Sequence, residues 1–301
     1  MRPVLMRAMV AFLAASCSPN FDEPSLVKDL RILAVRADRP EFFVGGSDPT
    51  EWPVTLTVLL ADPAGAGRTL SCAFRWCRLT ESNTCDGVAD AVPLGEGPCA
   101  HGETAFDLRI PATVVQAVQA EDPTYGTPVH SGVAVWVEVV VRAPERTLLA
   151  LKSVVFSPPN PPDRTPNRNP RIAALRLNDM PPAEPDLIPF SPRESVLIEV
   201  VPSDDSKERY LLPTLMPPGG VTEQEEPMTV AFYADAGSFE DATRSDKPSS
   251  ILSGPPTAEE AKLRTKWTPP AEAREVQFWF VLTDERGGVD WLLARGVLNP
   301  R

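Results

Sequence analysis

Residues 135–158, VWVEVVVRAPERTLLALKSVVFSP, and residues 276–300, VQFWFVLTDERGGVDWLLARGVLNP, decide the fold of this chain. Each stretch is an apolar run, a polar turn and a second apolar run that ends in a proline. Along residues 133–141 the alternate valines share one face, and this period of two predicts half-buried antiparallel strands. Each stretch is therefore a predicted β-hairpin.

The two hairpins belong to a longer internal repeat. RILAVR at 31–36 returns as RIAALR at 171–176, a shift of 140 residues, and the dipeptide at 145–146 returns at 285–286 with the same shift. Two matches at one offset predict that the chain is two copies of one module. The alternative is chance similarity between strand-rich stretches.

The composition favours strands over helices. The chain has 35 prolines in 301 residues, and proline interrupts helix interiors and central strands. Short β-branched runs separated by turn signals are typical of a β-sandwich, and the immunoglobulin-like (Ig-like) arrangement is the commonest host. We predict an all-β fold of two tandem Ig-like antiparallel β-sandwich domains, at 26–156 and 168–301.

A proline-rich segment separates the two predicted domains. The segment is residues 157–167, and it opens the stretch SPPNPPDRTPNRNP at 157–170, which contains six prolines. Consecutive prolines favour extended polyproline II. We therefore predict a semi-stiff linker that holds the two modules apart.

The first 16 residues have the layout of a signal peptide. Arg2 and Arg7 make the start positive, and AMVAFLAA at 8–15 is a short apolar run that ends in small residues. This run is shorter than the roughly 20 residues that a membrane-spanning helix needs. We predict that residues 1–16 direct export and are then removed.

The residues at 13–16 before Cys17, Leu-Ala-Ala-Ser, resemble the lipobox of bacterial lipoproteins, although Ala14 stands where that family prefers Leu or Val. The resemblance implies cleavage before Cys17, lipidation of its sulfur, and a lipidated tether at 17–25. Ser18 follows the cysteine, where an Asp often marks inner-membrane retention, so the resemblance implies the outer membrane. The alternative is an ordinary secretory signal with an incidental cysteine.

The other four cysteines lie in one window, as Cys72, Cys77, Cys85 and Cys99. In an exported chain they predict two disulfides, because the compartment is oxidising. A zinc site that adds His101 is the alternative, but the spacings lack the paired C-x2-C of such sites. The sequence therefore predicts disulfides and no metal.

Alternation along the strand around Arg75 chooses the pairs. Arg75 should face water, so Cys77 shares its outward row and Cys72 lies in the inward row. Cys77 then lies at the strand end, within reach of Cys85. Cys72 is left for Cys99, across the module.

The second hairpin carries a family resemblance. DERGG at 284–288, with WTPP at 267–270 upstream, is similar to the last strands of bacterial extracellular Ig-like modules of the PKD and cadherin-like kind. The layout from the lipobox through PSLVKDLRILAVRADRPEF at 24–42 resembles that of uncharacterised myxobacterial lipoproteins. The resemblance implies location and fold, and it brings no catalytic residue.

The residue inventory argues against catalysis. There are two histidines, His101 and His130, each in a predicted loop, and neither a G-x-S-x-G turn nor a G-x-x-x-x-G-K-[ST] loop occurs. We predict no enzyme activity and no cofactor. A hydrolase with an unrecognised site is the remaining enzymatic alternative.

Charge limits the partners. The formal net charge is −12, which disfavours nucleic acid and a peripheral grip on anionic lipid. We predict contact with the membrane through the lipid anchor only, and an envelope protein or glycan as partner. Calcium is the alternative to the predicted lack of metal, with carboxylates from Asp235, Glu240, Asp241 and Asp284, although EF-hand spacing is missing.

Two tryptophans are candidates for a binding surface. Trp136 and Trp279 lie near equivalent places in the two hairpins, opposite the most aliphatic row. They could stack on a glycan or peptide, or they could cover sheet edges and cores. The sequence thus favours an envelope lipoprotein that binds or scaffolds, with a carbohydrate- or peptide-recognising accessory protein as the alternative.

Overall fold

The computed structural model consists of β-strands and one short helix, arranged as two sandwiches in sequence. The structure describes residues 23–45, 48–65, 67–78, 84–86, 88–89, 91–122, 132–159, 164–214, 220–247, 257–259, 261–272 and 274–299.

The first sandwich contains eight described strands and the helix. They are β1 (Arg31–Ala37), β2 (Glu41–Phe43), β3 (Glu51–Ala61), β4 (Leu70–Trp76), β5 (Val92–Cys99), β6 (Gly102–Pro111), α1 (Ala112–Glu121), β7 (Val133–Ala143) and β8 (Arg146–Ser157). One sheet has the order β1-β3-β6 and the other β2-β8-β7-β4-β5. β2 runs parallel to β8, and the other pairs are antiparallel. This is the A-B-E against A′-G-F-C-C′ order of an Ig-like sandwich.

The core of the first sandwich follows the alternation in the sequence. Val135, Val137 and Val139 of β7 are fully buried and share one cluster with Leu56 and Val58 of β3. Burying a valine or leucine side chain contributes roughly 1.5–3 kcal/mol. The predicted half-buried strands are therefore confirmed here.

The second sandwich contains the remaining described strands. They are β9 (Ile172–Leu177), β10 (Leu187–Phe190), β11 (Val196–Pro202), β12 (Arg209–Thr214), β13 (Gly220–Glu225), β14 (Met228–Ala234), β15 (Ser238–Phe239), β16 (Thr243–Ser245), β17 (Arg264–Thr268), β18 (Val276–Asp284) and β19 (Val289–Leu298). One sheet has the order β10-β19-β18-β14-β16, the other β15-β17-β11-β9, and β12 pairs with β13 alone.

The two sandwiches have the same strand order, which is what the predicted duplication requires. β1 lies at a sheet edge beside β3, and β9 lies at a sheet edge beside β11. The strands β2 and β10 are each parallel to the last strand of their own sandwich. The strands β1 and β9, which contain the repeated RILAVR and RIAALR segments, thus occupy the same edge position in their sheets, as the common offset predicts.

The structure forms two disulfides. Cys72 pairs with Cys99, with the Cα atoms 5.8 Å apart, and Cys77 pairs with Cys85, with the Cα atoms 5.5 Å apart. These are the two predicted pairs. The predicted path across the module is wrong, because β4 and β5 are neighbours in one sheet and the Cys72–Cys99 bond joins them side by side.

The two sandwiches pack against each other, so the prediction that the linker holds them apart is wrong. A hydrophobic cluster joins them, made of Val27, Leu33, Leu59 and Ala61 from the first half and Trp279, Val281, Val289 and Trp291 from the second. Most of these side chains lie on outer sheet faces, which are usually polar when a sheet faces water. The apolar outer faces explain the packing, since separation would expose them.

The first described residues of the chain also contact the second sandwich. The backbone N–H of Val27 donates to the carbonyl of Ala234 at 2.8 Å, and the N–H of Ala234 donates to the carbonyl of Ser25 at 3.0 Å. The end of the predicted tether is therefore held by the second sandwich. Cys17 and the predicted signal peptide lie outside the described residues.

Candidate binding cleft between the sandwiches

The two candidate tryptophans lie in different environments. Trp136 in β7 is 40% exposed, whereas Trp279 in β18 is 1% exposed. Trp279 packs in the hydrophobic cluster between the sandwiches. A binding surface shared by both residues is therefore a wrong prediction, because docking of the first sandwich covers Trp279. Trp136 stays accessible.

Trp136 lines an open cleft where the sandwiches meet. Two cavities of about 310 and 510 Å³ adjoin there, and Trp136, Ser153, Asp284 and Gly287 line both. We call the space lined by these four residues the inter-sandwich cleft. Its volume falls in the range of small-molecule sites, about 300–1,000 Å³.

Glu41 is the polar centre of the cleft wall. Its side chain is 2% exposed. One carboxylate oxygen accepts hydrogen bonds from the Ser157 hydroxyl and the Arg164 guanidinium. The other accepts from the backbone N–H of Asn167 and from Arg286, each at 2.6 Å. Glu41 of the first sandwich is thus bonded both to the linker and to the second sandwich.

Arg286 makes the matching contacts on the second sandwich. Its guanidinium lies 3.5 Å from a Glu208 oxygen and 3.9 Å from a Glu226 oxygen. The guanidinium carbon also lies 4.8 Å from the centre of the Tyr210 ring, which is a cation–π distance. Arg286 therefore connects three carboxylates and an aromatic ring.

The turn that presents Arg286 is held by Asp284. One Asp284 oxygen accepts from the backbone N–H groups of Arg286 at 2.8 Å and Gly288 at 2.7 Å. Gly287 has φ +93°, a backbone conformation that side chains disfavour. Burial raises the pKa of Asp284 above its ordinary value.

Two groups near the cleft have strongly shifted pKa values. Burial raises the pKa of Glu226 to about 8, and the charge of Asp284 adds to the effect. Burial lowers the pKa of Lys152 to about 8, and Asp284 opposes that shift. The Lys152 ammonium donates to the carbonyl oxygen of Gly287. Burial therefore disfavours the charged form of both side chains.

A second buried carboxylate holds the disulfide loop. One oxygen of Glu138 in β7 accepts from the Thr84 hydroxyl at 2.8 Å and the Cys85 N–H at 2.9 Å, and the other accepts from Arg75. Burial acts to raise the pKa of Glu138, but the hydrogen bonds from Arg75, Cys85 and Thr84 outweigh it, so the pKa is lowered. We call this group the loop clasp.

Sequence reasoning missed Glu41, Glu138 and Lys152. Each is an ionisable residue within an otherwise apolar strand, as in PEFF at 40–43 and VEVVV at 137–141. A charged residue there is rarely buried without a partner. A charged residue inside an apolar strand was therefore the sequence signal for a buried ion pair, although it does not identify the partner.

The carboxylates considered for calcium do not converge. Asp284 bonds its own turn, and Asp235 contacts Arg274 at 2.6 Å. Asp241 and Glu240 form ion pairs with basic side chains. In the ranges that the structure describes, no three His, Cys, Asp or Glu side chains are grouped so as to hold a metal ion.

His101, which lies within the described ranges, makes a backbone contact. His101 accepts the backbone N–H of Asp62 through Nδ1 at 3.0 Å. His130 lies outside the described residues. His101 therefore supplies a hydrogen-bond acceptor for the backbone N–H that follows the end of β3.

Fold and cysteine pairing define the class of this protein, an all-β chain of two tandem Ig-like sandwiches. The two disulfides indicate an oxidising, extracytoplasmic location. Among the described residues, no helix has the length and apolar character that crossing a membrane requires.

No family model and no curated protein matches the chain. The two tandem V-type regions of VCBP3, a v-region-containing chitin binding protein, are similar at 12% identity over 90% of this chain and 100% of that one, with a TM-score of 0.29. The periplasmic chaperone SfaE is similar at 12% identity over 88% of this chain and 100% of that one, with a TM-score of 0.26. Red sea bream transglutaminase is similar at 11% identity and a TM-score of 0.25; 91% of this chain is matched to 32% of the transglutaminase. These likenesses assign no function to this chain.

Proposed function

We propose that the protein is an exported, lipid-anchored scaffold of the cell envelope that acts by binding and not by catalysis. The two disulfides support export. The lipobox-like residues before Cys17 support an acyl anchor, and Ser18 supports the outer membrane as its destination. Several acyl chains make a firm anchor, at roughly 0.8 kcal/mol for each buried methylene.

The interface between the sandwiches is the observation that carries the proposal. Domains joined by a linker move relative to one another by default, unless their interface is large and hydrophobic. Here an apolar cluster and the Glu41–Arg286 ion pair hold the sandwiches together. The bonds from Ser25 and Val27 to Ala234 also attach the tether to the second sandwich. A body held in this way presents its surfaces in one fixed arrangement, as a scaffold requires.

The anchor is tested by mass spectrometry of the N-terminal peptide from the membrane fraction. We expect the mature chain to begin at an acylated Cys17, and we expect Cys17→Ala to move the protein into the soluble fraction. Ser18→Asp is the matched control, since it should keep the lipid and shift the protein to the inner membrane. An unmodified Cys17 or cleavage elsewhere would refute the anchor.

The scaffold is tested by affinity capture from envelope extracts with the full mature chain. We expect the wild type to retain a defined set of envelope components and Arg286→Ala to lose them, because the variant loosens the interface. Arg274→Ala is the control, since Arg274 is exposed and pairs with Asp235 inside the second sandwich. Capture that is equal for wild type and Arg286→Ala would contradict the scaffold.

A further inference from the structure

The inter-sandwich cleft exposes one tryptophan that the fold does not use. Trp136 is 40% exposed, whereas the other five tryptophans are 9% exposed or less. Trp136 also belongs to none of the three hydrophobic clusters of the described residues. An aromatic side chain left open beside a cavity is typical of a binding site, since packing does not explain it.

The charges of the cleft wall are already paired. Arg164 and Arg286 both bond Glu41, whose side chain is 2% exposed. Lys152 bonds a backbone carbonyl and lies in the field of Asp284. A charged ligand would have to separate these buried pairs, and leaving one partner buried alone is strongly destabilising. The chemistry of the wall therefore favours an uncharged ligand.

The other polar groups of the larger cavity are two hydroxyls, the Arg164 guanidinium and the Glu285 carboxylate, which is half-exposed and paired with Lys247. Ser153, Tyr210 and Arg164 line the 510 Å³ cavity together with Trp136. An apolar peptide side chain would cover Trp136 but offer no hydrogen bond to these groups, of which Tyr210 already donates to Gln224 and Arg164 to Glu41. A sugar ring offers C–H groups to the indole face and hydroxyls to the polar wall.

The two cavities give the site its length. Trp136 lines both, and their volumes are about 310 and 510 Å³. A ligand that extends through both is longer than one sugar ring, so it is a chain of rings.

We infer that the inter-sandwich cleft binds a neutral oligosaccharide, with Trp136 as the stacking residue. This inference names a ligand for the proposed scaffold and rests on its being a binding module. It assigns the polar contacts to Ser153, Tyr210 and Arg164.

The test uses the full mature chain in a detergent without sugar headgroups, because a glycoside detergent would compete. Calorimetry measures binding of maltotetraose, cellotetraose and chitotetraose at millimolar concentration. We expect saturable binding of at least one, weakened about tenfold or more by Trp136→Ala, which is the scale of one lost aromatic contact. Leu298→Ala is the matched control, since Leu298 is 39% exposed and lines neither cavity.

The outcomes separate this inference from the proposed function. No binding of the neutral sugars, binding that survives Trp136→Ala, or a preference for oligogalacturonate or hexaproline would each overturn it. Near-ultraviolet circular dichroism checks that Trp136→Ala stays folded, which we expect because the side chain lies outside the cores. Loss of the membrane anchor or of captured envelope components is measured separately from sugar binding by the purified chain, so the failure of one claim can be distinguished from the failure of the other.

Discussion

Glu226 is a carboxyl group that the fold places without a hydrogen-bond donor. Its side chain is 0% exposed, and neither oxygen accepts a hydrogen bond from the described residues. Its nearest ion-pair contact is Arg286 at 3.9 Å. With a pKa of about 8, raised first by burial and then by Asp284, the group is mostly protonated at neutral pH.

We expect the buried carboxyl group of Glu226 to make the free energy of unfolding fall as the pH rises. Between pH 4.5 and about 8 the folded chain keeps the Glu226 proton that the unfolded chain has released, so the free energy of unfolding falls across that window. Glu226→Gln should remove this part of the pH dependence in urea titrations. Glu225→Gln is the control, since the side chain of Glu225 is 54% exposed. An unchanged slope in Glu226→Gln would refute the assignment.

Lys152 should have the opposite effect at higher pH and make the free energy of unfolding increase as the pH rises. Its pKa is lowered from 10.5 to about 8 by burial, so between these values the unfolded chain binds a proton that the folded chain has lost. The contribution of Lys152 to stability should therefore recover as the pH rises through that window. Lys152→Met should abolish the recovery, measured by the same urea titrations. A recovery of equal size in Lys152→Met would exclude Lys152 as its source.

Gly288 is required by close approach in the turn. A Cβ at this position would lie 2.0 Å from an Asp284 oxygen and 2.9 Å from the carbonyl oxygen of Arg168. We expect Gly288→Ala to lower the free energy of unfolding by about 2 kcal/mol, the scale of an overpacked site. Gly67→Ala is the control: φ is +83° there and no atom lies within 4 Å, so only backbone strain applies. Thermal denaturation measures both, and equal losses would contradict the clash.

Among the elements, the strand pair β4–β7 and the disulfide loop are joined by the loop clasp. Glu138 lies opposite Arg75 in the strand register, and it reaches the loop at Thr84 and Cys85. Cys77 and Cys85 are each 1% exposed. Glu138 therefore holds the short disulfide loop against the outer face of its sheet.

Removing the charge of Glu138 should free that loop. We expect Glu138→Gln to lower the free energy of unfolding by about 2 kcal/mol, since a buried hydrogen-bonded charge is lost. The Cys77–Cys85 bond should also become reducible faster than Cys72–Cys99, as peptide mapping after timed reduction would measure. Glu96→Gln on the exposed side of β5 is the control and should change neither value. Equal protection of Cys77–Cys85 in Glu138→Gln would show that the clasp does not hold the loop.

In the whole molecule, Trp291 lies at the join between the sandwiches. Its indole N–H donates to Glu103 at 2.7 Å, and the Arg36 guanidinium carbon lies 4.3 Å from the centre of its ring. Arg36 also pairs with Asp290 at 2.9 Å. One side chain therefore combines apolar burial, a hydrogen bond and a cation–π contact across the interface.

Loss of that side chain should uncouple the two halves. We expect Trp291→Ala to increase the radius of gyration in small-angle scattering and to split thermal unfolding into two transitions, because each sandwich keeps its own core. Trp136→Ala is the matched control, as it removes a tryptophan outside that cluster. A single transition and an unchanged radius in Trp291→Ala would mean that the interface does not depend on this residue.

The strands and cysteine pairs were predictable because they rest on local periodicity. The valine alternation around Val137 sets which face of β7 is buried, and the alternation around Arg75 in β4 places Cys72 inward. The common offset of the repeated segments likewise predicted that the two edge strands β1 and β9 are equivalent. None of these conclusions requires knowing how the two halves meet.

What the sequence by itself determined is therefore the all-β class, the duplicated strand order and the two disulfides. Only the tertiary structure decided that Trp279 is covered while Trp136 is open, and that Glu41 meets Arg286 across 245 positions of the chain. The physical reason is range: alternation and spacing act between neighbours along the chain, whereas docking depends on the shape and charge of two assembled surfaces. Trp279 is thus covered while Trp136 stays open, because docking covers the outer face on which Trp279 lies.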